Sequence, residues 1–220
     1  MDATDVGALR EDDRVCLEEL GQYLVAAETW RRFGIWLLHR HFVPAPGEIF
    51  VERTFRALRE TAITPVQRSA FPERGLGTTA IRFDNSVSRD VGVIGLEFAE
   101  PVDFGDATPL RNDDEAALAG IAEQLGDCGM IDRFGVRLIR NPLRLSEHEL
   151  LYETCDGAQW TLNCTVGERD ALLADETVVE TAWRWKVVWG KTLPSVMGEC
   201  IARDTTSWHR HFEPDDFGND

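Results

Sequence analysis

The sequence predicts an α+β fold, in which a mainly antiparallel sheet carries two main helices and one short helix. Three observations point there. β-branched and aromatic runs outnumber amphipathic helical stretches, they come in groups instead of alternating regularly with helices, and turn chemistry such as Asp156-Gly157 separates neighbouring runs. No stretch rich in Gly, Ser or Pro divides the chain into unlike halves. Residues 1–212 are therefore expected to form one domain, with 213–220 as a solvated acidic tail.

The first main helix is expected between Glu11 and Arg32. Asp12 or Asp13 offers an N-cap, Leu17, Leu20, Leu24 and Ala27 recur at helical spacing, and Arg31 and Arg32 suit the negative end of the helix dipole. Phe33 to Phe42 and Glu48 to Phe55 read as strands on either side of the Val43-Pro44-Ala45-Pro46-Gly47 turn. Thr64 to Thr79, with Pro65, Pro72, Gly75 and Gly77, reads as a loop. Gly75-Leu76-Gly77 lacks the third glycine and following helix of a dinucleotide-binding turn. Strands are expected at Thr79 to Phe83 and Val91 to Phe98.

The second main helix opens at Asn112-Asp113-Asp114-Glu115, carries Ala117, Leu118, Ile121 and Leu125 on one face, and ends near Cys128 between Gly126 and Gly129. Four strands follow, at Gly135 to Arg140, Glu149 to Thr154, Gln159 to Val166 and Val178 to Val188. A short helix is expected at Glu168 to Ala174. In Thr181 to Val187 strict alternation sets Trp183, Trp185 and Val187 on one face and Ala182, Arg184 and Lys186 on the other. One face should bury aromatics while the other carries cations.

Composition narrows the function classes. Acidic residues number 39 against 23 basic ones, for a formal net charge of -16. Such a chain repels phosphate backbones and anionic lipid, so neither a nucleic-acid nor a membrane partner is expected. The N-terminus has no basic segment leading into an apolar one, and no apolar run approaches the ~20 residues that span a bilayer, so a cytoplasmic location is expected. Five cysteines without CxxC spacing predict reduced thiols, not a disulfide scaffold.

Histidine carries the sharpest pattern. Four of the five histidines lie in two similar hexapeptides, His39-Arg40-His41-Phe42-Val43-Pro44 and His209-Arg210-His211-Phe212-Glu213-Pro214. On a strand, residues i and i+2 share a face about 6.6 Å apart, so each His-x-His can present two imidazoles to one cation. Together the pairs would supply four ligands suited to zinc or another transition metal. Apart from these hexapeptides, no repeat at a fixed period stands out.

Two functional readings follow. In the first, His39, His41, His209 and His211 bind a metal, most simply zinc, and an open coordination position supports metal-assisted hydrolysis. In the second, the histidines are structural and the tryptophan-rich strands, with the first helix, form a surface for a protein partner. Glu48 and Glu52 share a strand face near His39 and could serve as ligands or as an acid and base. Cys155, Cys164, Cys200 and His209 offer a further zinc set without knuckle spacing, against which buried inert thiols are the expected reading. Seven tryptophans are expected mainly in the core, and an aromatic-lined small-molecule pocket is the third reading.

Overall fold

The computed structural model describes residues 9–39, 43–72, 75–84, 92–156, 160–173 and 178–201. In chain order the elements are α1 (Glu11–Ala26), β1 (Phe33–Leu37), β2 (Glu48–Phe55), β3 (Glu60–Gln67), β4 (Gly77–Asp84), β5 (Gly92–Ala99), α2 (Glu115–Asp127), β6 (Phe134–Leu138), β7 (Glu149–Asp156), β8 (Thr161–Glu168), α3 (Arg169–Leu173), β9 (Val178–Val188) and β10 (Lys191–Ile201). The second main helix, the short helix and most of the strands lie where the sequence puts them, whereas α1 ends at Ala26, before Arg31 and Arg32, and has no basic residue in its last turn. The sheet, however, is a closed barrel of ten strands in the order β1-β6-β4-β5-β2-β3-β8-β7-β10-β9. It is not purely antiparallel, because β2 pairs with β5 and β7 with β10 in parallel.

β3 and β10 are the strands the sequence conceals, and proline explains both. Pro65 lies opposite Phe50 of β2, beyond the stretch Glu60–Ile63 that also pairs with β8. Pro194 lies opposite Trp185 of β9, outside the stretch Gly198–Cys200 that pairs with β7. A residue paired on one side alone does not need both of its backbone hydrogen-bonding edges, so the missing N–H is tolerated there.

The closed ring also exposes an internal repeat that the sequence pattern did not reveal. β2 and β7 start at 48 and 149, and β3 and β8 at 60 and 161, each 101 residues apart. Each half runs helix and then five strands, and every pairing in one half has its counterpart in the other. Where the halves meet, equivalent residues face each other: Ile35 pairs with Val136 and Ala62 with Asn163. A residue that faces its own counterpart in an antiparallel pair lies on a two-fold axis, so a pseudo-two-fold crosses the barrel through the β1–β6 and β3–β8 seams.

Reciprocal ion pairs tie the halves together. The Arg10 N–H donates to Asp13 Oδ2 at 2.8 Å, and the Arg111 N–H donates to Asp114 Oδ2 at 2.8 Å. Asp13 thus closes α1 from inside its first turn, Asp114 closes the short 3-10 turn Asn112–Asp114 that leads into α2, and Arg10 occupies the cap position that the sequence suggested for Asp12 or Asp13. Arg133, just before β6, donates Nε and Nη2 to the two Asp13 oxygens at 2.6 and 2.7 Å. Arg32, just before β1, makes the equivalent fork to Asp114. Each half therefore holds the helix of the other.

The helices cover one flank of the barrel. Leu17, Leu20 and Leu24 of α1, with Leu118, Ile121 and Leu125 of α2, pack on Phe33, Ile35, Phe134, Val136, Trp183 and Trp185 in one continuous core. Phe134 and Trp183 meet edge to face at 6.1 Å. Gly21 permits the contact, since a Cβ there would stand 2.0 Å from Trp185 Nε1. As the alternation predicts, Trp183 and Trp185 are buried on this side and Ala182 and Arg184 turn to the other.

Asp13→Asn and Asp114→Asn should each cost about 3 kcal/mol, because each leaves a partly buried arginine without its counter-charge. Burial pushes both carboxyls up, but the facing arginines and the cap N–H groups outweigh it and hold them below the usual range. Their contribution is therefore complete above the unfolded carboxylate value and lost as pH falls through the folded one. Urea unfolding from pH 7 downwards should show a shallower acid-side loss in either variant than in the parent.

Candidate binding cavity in the barrel lumen

Which side chains enter the lumen follows from strand pairing. Partners in an antiparallel ladder share a face, and the register sets Arg137 opposite Gly34 and Trp36 opposite Gly135. Each bulky side chain thus faces a glycine across the first seam. A Cβ on Gly135 would lie 2.3 Å from the Ile81 carbonyl oxygen, so this position cannot carry a larger residue without moving β4.

Arg137 leaves β6 and bonds to carboxylates from strands on other parts of the ring. Nη2 donates to Glu97 Oε2 of β5 at 2.8 Å, Nη1 donates to Glu153 Oε1 of β7 at 3.3 Å, and Glu52 of β2 stands 3.9 Å away. Because β6 does not neighbour β2, β5 or β7, these groups can meet only through the interior. The guanidinium also lies over the Trp36 ring, 5.5 Å from its centroid. Two further pairs flank it. Arg140 donates Nη2 to Glu52 Oε2 and Nη1 to the Asp103 carbonyl oxygen at 3.1 Å. His39 lies with Nε2 3.2 Å from Glu153 Oε2 and Nδ1 2.7 Å from the Leu37 carbonyl oxygen.

These two pairs are counterparts under the pseudo-two-fold. His39 and Arg140 occupy equivalent positions at the ends of β1 and β6, and Glu153 and Glu52 occupy equivalent positions on β7 and β2. Each cation reaches the glutamate of the opposite half. Among the inward positions of the first seam, the copies differ where Trp36 stands in the first half and Arg137 in the second. That substitution supplies the extra cation that balances Glu97.

Buried charges persist only when paired and hydrogen-bonded. Burial pushes the Arg137 guanidinium down, but Glu97, Glu153 and Glu52 outweigh it and the group is held charged. Burial raises the Glu97 carboxyl; Arg137 opposes this, while Glu153 and Glu52 add to it. For His39, burial favours the neutral ring, yet the Glu153 bond and charge, the Leu37 carbonyl and Glu97 together carry its pKa upward. The geometry agrees, since the Leu37 oxygen can only accept and therefore fixes a proton on Nδ1, leaving a second proton for the contact with Glu153. Burial, with Glu153 next, drives the Cys164 thiol well above its usual range, so it is not a nucleophile.

A cavity of about 560 Å³ runs from the 106–108 and 139–147 segments at one end of the barrel to Glu52, Arg137, Arg140, Glu153 and Cys164 inside. Trp36 Nε1, Arg140 Nε and Arg184 Nε are buried N–H donors with no hydrogen-bond acceptor among the described residues. Arg140 and Arg184 line the cavity directly.

Of the predicted metal ligands, His39 is the one whose placement is described, and both of its ring nitrogens are engaged. His41, His209 and His211 lie outside the described residues. Among the described residues no group of three or more His, Cys, Asp or Glu is arranged to hold a metal ion. Glu48 and Glu52, expected to act together near His39, have separate partners: Glu52 enters the lumen and accepts from Arg140, whereas Glu48 accepts from the Ala45 N–H at 2.8 Å on the outer turn. Cys155 and Cys164 sit on adjacent strands, where their direct partners are Leu162 and Glu153, and neither is in a disulfide. Glu97, Arg137, Arg140 and Glu153 escaped the sequence reading. The usable signal was the pair Phe33-Gly34-Ile35-Trp36-Leu37 and Phe134-Gly135-Val136-Arg137-Leu138, in which one inward position changes from tryptophan to arginine.

Comparison with protein-family models, with curated proteins and with solved structures found no match.

His39, with its raised folded pKa, contributes stability that is complete below the ordinary histidine value of about 6.5 and is lost as pH rises through the folded value. Glu97 acts with the same sign from a lower starting point. Guanidinium unfolding measured between pH 6 and 9 should therefore show falling stability, with a shallower slope in His39→Gln. An unchanged slope in that variant would remove the protonated His39–Glu153 pair.

Proposed function

We propose that this protein binds a small polar molecule inside its barrel. The observation that carries the reading is the cavity of about 560 Å³ entering a closed barrel, whose lining sets the charged Glu52, Arg137, Arg140 and Glu153 among apolar residues such as Leu150 and Met197. The volume falls in the range of small-ligand sites, and barrels of eight or more strands leave room for one such ligand. The wall selects its chemistry. An apolar guest would strip water from Glu52, Arg137 and Arg140 without replacing its hydrogen bonds, whereas a polar guest can supply acceptors to the orphan N–H donors.

Binding is better supported than catalysis, because the lumen charges neutralise one another and the buried thiol is held protonated. A zinc ion on His39 with His41, His209 and His211 would have to displace either Glu153 or the Leu37 carbonyl from the ring. A protein-partner surface built on Trp183 and Trp185 would have to expose residues that pack beneath the helices.

The reading is tested by thermal unfolding against a panel of small anionic, cationic, zwitterionic and neutral polyhydroxy compounds at fixed ionic strength. At least one class should raise the midpoint progressively with concentration, by an amount corresponding to about 2.7 kcal/mol at one hundred times Kd. Met197→Trp, which fills the cavity from β10, should abolish the shift while leaving the far-UV spectrum intact. A panel without effect, or a shift that survives in Met197→Trp, would overturn it.

A further inference from the structure

Arg184 stands on β9 directly opposite Ser195 of β10, and its side chain lines the cavity. Arg169, at the start of α3, donates Nη2 to Ser195 Oγ at 3.4 Å. Two guanidiniums and a buried hydroxyl thus share one corner of the molecule. Among the described residues, Arg184 Nε is buried with no acceptor, and no carboxylate is bonded to either guanidinium. Arg32, Arg133, Arg137 and Arg140, by contrast, each hold an Asp or Glu.

Such a corner is unfavourable on its own. Burial lowers the Arg184 pKa, Arg169 lowers it further, and Glu147 alone opposes them. Glu147 offers little relief, since its side chain is 83% exposed and lies 3.6 Å from Lys186. No carboxylate among the described residues is bonded here. An arginine presents a planar fork that fits two oxygens of one carboxylate or phosphate, and Ser195, while accepting from Arg169, keeps its own O–H free to donate.

We propose that Arg184, Ser195 and Arg169 form an oxyanion site that captures the carboxylate or phosphate group of the molecule bound in the barrel. The proposal rests on the cavity reading and names the charged end of its ligand. The rest of that ligand extends towards Glu52, Glu153 and Arg140, so it is a polar organic acid or phosphate ester, not a fatty acid.

The probes are inorganic phosphate and propionate, titrated calorimetrically into the full chain at constant ionic strength. One or both should bind saturably, and which of them binds more tightly separates a phosphate ester from a carboxylic acid. Arg184→Gln and Arg169→Gln should each weaken binding about tenfold or more, with Ser195→Ala losing less and Arg184→Lys recovering only part. Arg53→Gln, which makes the same charge change on an exposed position of β2, should leave affinity unchanged. Absence of saturable binding, equal binding in Arg184→Gln, or an equal loss in Arg53→Gln would overturn the site. The two readings fail separately. A panel compound blocked by Met197→Trp but indifferent to Arg184→Gln would keep the cavity and remove the oxyanion site. Phosphate bound through Arg184, with a panel silent towards the cavity, would do the reverse.

Discussion

Arg137 sets the terms on which the barrel interior exists. Three glutamates facing a closed space would repel one another and lose their hydration, and no arrangement of apolar neighbours could offset that. A single guanidinium, reaching Glu97 and Glu153 directly and standing near Glu52, turns the repulsion into a network. Arg140 and His39 complete it from either side. The remaining geometry serves this centre: Gly34 leaves the space opposite Arg137, and Trp36 supplies a flat ring under the cation. An interior of this kind stays hydratable and open to polar guests, where a packed hydrocarbon core would close.

The repeat explains why the network is arranged as it is. In each half the cation after the first strand reaches across to the glutamate of the other half, and the arginine before that strand reaches across to the other helix. Contacts of both kinds are long-range in sequence, so neither half is complete alone. The halves differ at many positions, the inward pair Trp36 and Arg137 among them. Substituting one member of an equivalent pair changes the chemistry of the lumen without disturbing the wall, which is how a symmetric shell acquires an asymmetric site.

Much of the wall was legible in the sequence. The 3.6-residue spacing of Leu17, Leu20 and Leu24 and the two-residue alternation of Trp183 and Trp185 report burial against one neighbour, and periodicity records that directly. β3 and β10 were hidden because Pro65 and Pro194 read as breakers unless it is known that one side of the strand is unpaired there. Closure was hidden for a related reason, since period-two patterning marks faces but not which strand lies beside which. The site was less legible still. Glu97, Glu153 and Arg137 look like surface charges in a chain full of them, and only ring closure turns them inward. Histidine drew attention because it is rare, but His39 earns its place through Glu153, a partner that no local motif could indicate. The repeat itself escaped because its halves share few identical residues and keep spacing better than letters.

The self-facing seams at Ile35–Val136 and Ala62–Asn163 have a topological corollary. Since each seam joins a first half to a second half through the same contacts whichever chain supplies them, two molecules can trade second halves and rebuild both barrels with every bond preserved. The segment between β5 and α2 alone decides between the solitary and the intertwined form, and shortening it would tilt assembly towards exchange. In an architecture of this sort the choice between one chain and two rests on the tether and not on the interfaces.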